Sequence, residues 1–148
     1  FFAHMEEIDF CWRAQLAGYR IRVEPRSTVF HVGGGTLPNN SPQKIYLNFR
    51  NNLCMLFKNL SPGTFWPVLF SRMVLDGMAA LVFLVQGHPD FFKKVFRAHI
   101  DFHRQRKSLH EKRRAIQRHR VARPHGILRN SIILLHAFGY RTFDKVMR

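Results

Sequence analysis

His4-Met-Glu-Glu-Ile-Asp-Phe-Cys-Trp-Arg13 is the stretch that decides how this chain is read. It sets Glu6, Glu7 and Asp9 close together and follows them with Arg13. A buried structural segment rarely tolerates such a density of charge, because an unpaired carboxylate is costly to desolvate. A site that holds a cation or moves a proton needs it, so this segment is the first candidate for chemistry. Ile8, Cys11, Trp12 and Leu16 fall near a common face, which predicts a helix from Phe2 through Leu16 with Gly18 as its stop.

Downstream of that helix the pattern changes. Arg20-Ile-Arg-Val-Glu24 alternates and predicts a short strand ending at Pro25, and Ser27-Thr-Val-Phe-His31 predicts a second. Gly33-Gly-Gly35 and Asn39-Asn-Ser-Pro42 continue as loop. Ser41 and Pro42 then suit the N-cap and first turn of a helix, whose buried stripe is Ile45, Phe49, Leu53, Phe57 and Leu60.

Taken together, Glu6-Glu7-x-Asp9-x3-Arg13, Gly18-Tyr19, Pro25 and His31 resemble the carboxyl-terminal part of a family-2 glycosyltransferase catalytic domain. Tyr46-Leu-Asn-Phe-Arg50-Asn51 is similar to the aromatic-x-x-Arg-Asn element of the same family. The resemblance covers about residues 1–60 and implies the end of a GT-A, Rossmann-like α/β fold, followed over 61–148 by apolar and amphipathic helices. It implies an inverting, metal-dependent transfer of sugar from a nucleotide-sugar donor to a hydroxyl acceptor. Glu7 falls where the family places its catalytic base, normally an aspartate, and would take the acceptor's proton. Glu6 or Asp9 would share that role or orient neighbours, and Arg13 would pair with one of the carboxylates.

His31 matches a family histidine that completes the divalent-metal site, which implies Mg²⁺ or Mn²⁺ as cofactor. Arg50 would grip a phosphate of the donor, a surface or helix salt bridge being the equal alternative. The principal metal ligands of such enzymes come from an Asp-x-Asp that this sequence lacks. The resemblance therefore implies a fragment that enters its fold midway and is inactive alone.

Composition constrains the rest. The 148 residues carry a net charge of +15, distributed unevenly. Residues 1–60 hold seven Lys/Arg against four Asp/Glu, and residues 61–148 hold seventeen against five. That excess must face solvent, phosphate or an anionic surface. Cys11 and Cys54 form neither a disulfide framework nor a metal-ligand spacing, and suit packing in a reduced, cytosolic setting.

After Pro62-Gly63, the run Phe65–Gly87 has only Arg72 and Asp76 as charges, one helical turn apart and able to pair. At helical rise it is roughly 34 Å long, enough to cross a bilayer. The flanking charge opposes a crossing, since Lys93, Lys94, Arg97, Arg104, Arg106 and Lys107 would draw the downstream side into the cytoplasm. The acidic motif would then sit outside, away from cytoplasmic nucleotide sugars. A helix lying in the interface or packed on the catalytic domain avoids that conflict, and a spanning helix or an oligomer interface stands as the alternative. Asp90 is expected to cap one long helix to about Val121, with Phe91, Val95, Ala98, Phe102, Leu109 and Ile116 on one seam and twelve Lys/Arg between Lys93 and Arg123. A short apolar helix is expected over Ile127–Phe138.

The expected localisation is thus the cytoplasmic face of a membrane, attached peripherally to anionic lipid, with a lipid-linked acceptor among the expected partners. A nucleic-acid-binding module is the competing class, suggested by the basic helix. It is opposed by the scarcity of aromatic residues between Arg104 and Arg123, which leaves no stacking platform. A metal-dependent hydrolase built on the Glu/Asp/His set lacks the usual multi-histidine spacing.

Overall fold

The structure, a computed structural model, describes residues 3–30, 41–124 and 139. They form five helices: α1 (Glu6–Leu16), α2 (Pro42–Asn59), α3 (Pro62–Val85), α4 (Pro89–Arg104) and α5 (Arg106–Arg118). Among the described residues there is no strand. The expected Rossmann-like α/β end of a GT-A domain is therefore corrected to an all-helical arrangement. The alternation at 20–24 is real, but a strand needs a neighbour to satisfy its backbone. Here residues 17–30 run exposed and irregular, Val23 at 88% and Phe30 at 96%. The second expected strand ends at His31, which lies outside the described residues, as do the glycine run at 33–35 and the helix expected over 127–138.

Local chemistry accounts for the helix ends. Ser41 Oγ accepts the Lys44 amide at 3.2 Å and Pro42 opens α2. Gly18, at φ +92°, closes α1: its amide bonds Gln15 O while the Tyr19 amide bonds Ala14 O. Gly87, at φ +80°, closes α3 in the same way through Leu84 O and the His88 bond to Phe83 O. Both turns satisfy last-turn carbonyls in a conformation that glycine adopts without a Cβ penalty. The expected long basic helix is instead two, interrupted at Gln105, and α4 begins at Pro89 with His88 rather than Asp90 as its N-cap.

One core joins these helices. Leu53, Cys54, Phe57 and Leu60 of the α2 region pack with Phe65 and Leu69 of α3, Phe102 of α4 and Leu109 of α5. Phe57 sits at its centre, edge-on to Phe65 at 5.2 Å, to Phe102 at 5.7 Å and to His110 at 4.9 Å. The carboxyl end of α2 is closed by α5. Arg113 Nη1 donates to Phe57 O at 2.6 Å, and Gln117 Nε2 reaches Lys58 O, Asn59 O and Leu60 O at 3.2–3.4 Å. These carbonyls have no partner within their own helix, so two side chains of the basic helix satisfy them. Beyond α5, the amides of Val121 and Ala122 bond Leu16 O at the end of α1.

Candidate functional site

The acidic segment forms the first turns of α1, but its three carboxylates are not equivalent. Asp9 is 4% exposed. Its Oδ2 meets Arg13 Nε and Lys58 Nζ, each at 3.0 Å, and its Oδ1 accepts from Asn59 Nδ2 at 2.7 Å. A buried carboxylate is tolerable when it is paired and hydrogen-bonded. Asp9 is therefore the post that ties α1 to the end of α2, and Arg13 is the arginine that pairs with it. Glu6 and Glu7 are exposed on the first turn. There the free amides of the helix end favour negative charge.

The backbone entering this turn is unusual. His4 and Met5 both adopt positive φ, 65° and 68°, without being glycine. Such conformations cost on the order of 1–3 kcal/mol each and persist only where surroundings enforce them. Asn51, fully buried on α2, supplies that enforcement: its Nδ2 donates to Ala3 O at 2.7 Å and to His4 O at 3.0 Å. His4 Nε2 is buried nearby without a hydrogen-bond partner.

Arg50 occupies the adjoining position. Its Nε and Nη2 both donate to Asn51 Oδ1, at 3.0 and 2.8 Å, and its Nη1 lies 3.4 Å from the Tyr46 hydroxyl. In this arrangement the fork expected on a donor phosphate rests on a neighbouring amide. Tyr46 in turn donates to Asp101 Oδ2 of α4 at 2.8 Å. That bond, with Arg97 and Arg104 beside it, lowers the Asp101 pKa from the usual carboxylate value. Burial and the hydrogen bond to Asp101 raise that of Tyr46. Burial likewise raises the Cys54 thiol, consistent with an inert packing role.

The structure thus brings together the two stretches flagged in the sequence, the acidic turn and the aromatic-x-x-Arg-Asn element, through Asn51, while Asp9 is tied to Lys58 and Asn59 beyond that element. It does not bring Asp9 to the surface with Glu6 and Glu7. His31 lies outside the described residues, so the geometric convergence of Glu7 with it is not on view. Among the described residues no three His, Cys, Asp or Glu side chains gather where a metal could sit. The two exposed glutamates do not make a cation site by themselves.

Lys58, Asn59 and Asp101 complete these contacts and were not singled out from the sequence. Lys58 and Asn59 carry a usable signal, since polar residues at the last turn of an apolar-striped helix require partners when buried. Asp101, more than forty positions from α2, carries none.

A second arrangement lies on α3, which is long and apolar enough to cross a membrane by length and composition. Its charges are turned inward. Asp76, 1% exposed, meets Arg72 Nη2 at 2.7 Å and His99 Nε2 of α4 at 3.1 Å. Arg72 also lies over the Phe49 ring at 5.5 Å. No protein-family model, curated protein or solved structure matches the chain.

Proposed function

We propose that this chain is the carboxyl-terminal part of a family-2 glycosyltransferase that moves a sugar from a nucleotide-sugar donor to a hydroxyl acceptor. One observation carries the reading. Two motifs separated in sequence and each similar to that family meet in space, with Asn51 bonding the backbone immediately before Glu6 and Glu7. Asp9 anchors the helix while Glu7 stays solvent-accessible at its amino end. Glu7 then serves as base: it takes the proton of the acceptor hydroxyl as that oxygen attacks the anomeric carbon. The bond from that carbon to the diphosphate oxygen breaks, and configuration inverts. Arg50, released from Asn51, offers its planar fork to the departing diphosphate.

A divalent cation, Mg²⁺ or Mn²⁺, would offset charge on that leaving group when bound. His31 is the residue of this sequence proposed to meet it, with the Asp-x-Asp ligands contributed by sequence beyond these 148 residues. The donor is cytoplasmic, so the enzyme works at the cytoplasmic face of a membrane, held peripherally against anionic lipid and close to a lipid-linked acceptor.

The test is Glu7→Gln in the full-length enzyme. Transfer should fall by about 10²–10⁴-fold, the usual contribution of a general base, while donor affinity stays within error. Unchanged turnover would remove Glu7 from the reaction.

A further inference from the structure

We infer that α3 and α4 form one bilayer-docking surface on which α3 lies flat in the interface of an anionic leaflet. This rests on the peripheral attachment proposed above and specifies its geometry. On α3, Trp66, Phe70, Val74, Met78, Val82 and Val85 recur every three or four residues, and all are exposed, Trp66 at 67% and Val85 at 88%. At helical spacing they form one stripe along the whole element. The packed residues Phe65, Leu69, Met73, Asp76 and Ala80 form the opposite one. Both charges of α3 belong to the packed side, and Asp76 is held there by His99.

A spanning α3 would have to part from α4 or carry it into the bilayer. Either α4 is stripped away, leaving Asp76 without His99, or α4 enters the hydrocarbon with Lys93, Lys94, Arg97 and Arg104. Both are costly. A flat α3 needs neither.

The edge toward α4 identifies the partner. A groove of about 380 Å³ runs between the helices, lined by Met73, Gly77 and Leu81 on one side and by Phe92, Phe96 and His99 on the other. Leu81 is itself 58% exposed, so the groove opens onto the apolar face and has room for part of an acyl chain. Past Phe96, which is 63% exposed, the next flank of α4 presents Lys93, Arg97 and Arg104 to solvent, interleaved with Asp90 and Asp101, which pair with them at 3.5–3.7 Å, so the flank keeps a net positive charge. An apolar stripe bordered by cations is complementary to acyl chains bordered by anionic headgroups.

The experiment places a fluorescent amino acid at position 66, 74 or 85 of the full-length enzyme, bound to phosphatidylglycerol vesicles brominated at shallow or deep acyl positions. A flat helix predicts equal quenching at all three, strongest with shallow bromines. A spanning helix predicts depths that change by about 1.5 Å per residue, and that gradient would overturn the inference. So would absence of quenching on vesicles that still bind the enzyme, or burial of all three probes in a second copy; both outcomes leave peripheral attachment standing. Failure to bind vesicles of any composition would remove both readings.

Discussion

Asp9 and Glu7 stand two positions apart on one helix in opposite surroundings, the first buried and the second exposed. In sequence they are indistinguishable members of an acidic cluster, and the cluster was legible as a place where charge must be explained. What separates them is tertiary: Lys58 and Asn59 arrive from the end of α2 and engage both oxygens of Asp9. Asp9→Asn keeps the shape and removes the charge, leaving Lys58 buried against a neutral amide. We expect a loss of about 3–5 kcal/mol, the range for breaking one partner of a buried pair, read by chemical denaturation. Glu6→Gln, at an exposed first-turn position, should change stability by less than about 1 kcal/mol. Asn51 was quoted in the sequence only as the last residue of a motif. Its real task, holding two left-handed residues in place, depends on backbone conformation that no periodicity encodes.

At the scale of elements, what was legible is what local chemistry decides. Ser41-Pro42 opened α2, Gly18 ended α1, and the Arg72–Asp76 pair formed one turn apart as spaced. The strands failed because alternation states only which face would be buried, and among the described residues no partner strand supplies a ladder. The break at Gln105 was equally invisible, with neither glycine nor proline there. It coincides with the docking of Arg113 and Gln117 onto the end of α2, a contact more than fifty residues long in sequence.

The α2–α4 link through Tyr46 and Asp101 makes a pH prediction. A carboxylate whose folded pKa is depressed binds fewer protons when folded, so its stabilisation is present above the unfolded value and lost as pH falls through the folded one. Partial desolvation of the largely exposed His103, with Arg106 and His99 beside it, depresses its pKa in the same sense, starting from a higher ordinary value. Acid should therefore weaken the fold first as pH drops below about 6.5 and again below about 4. Tyr46→Phe should move the Asp101 titration upward, followed by the carboxyl carbon resonance, and cost about 1 kcal/mol. An unmoved titration would show that the phenol does not govern Asp101.

Over the whole molecule, charge and apolarity are segregated rather than merely abundant. The net charge of +15 left its excess to solvent, phosphate or an anionic surface, and did not say which cations face outward. Arg113 is not among them, being turned inward over the Phe65 ring at 4.4 Å. Lys93 and Arg97 are exposed and paired only loosely, with Asp90 at 3.7 Å and Asp101 at 3.6 Å, so neutralising both to glutamine should weaken binding of the full-length protein to anionic vesicles by roughly 10–30-fold, at about 1 kcal/mol per cation. Binding to zwitterionic vesicles should be little changed, and an equal loss on both would argue against an electrostatic rim. On the proposed reading, catalysis and attachment are divided between different elements, with Glu7 on α1 and the exposed apolar stripe on α3. The most direct test of the account is release of nucleoside diphosphate by the full-length protein on anionic vesicles across a panel of nucleotide sugars, wild type against Glu7→Gln. The account predicts acceptor-dependent release from one donor class that disappears in the variant; release from none of them, or equal release by both proteins, would contradict it.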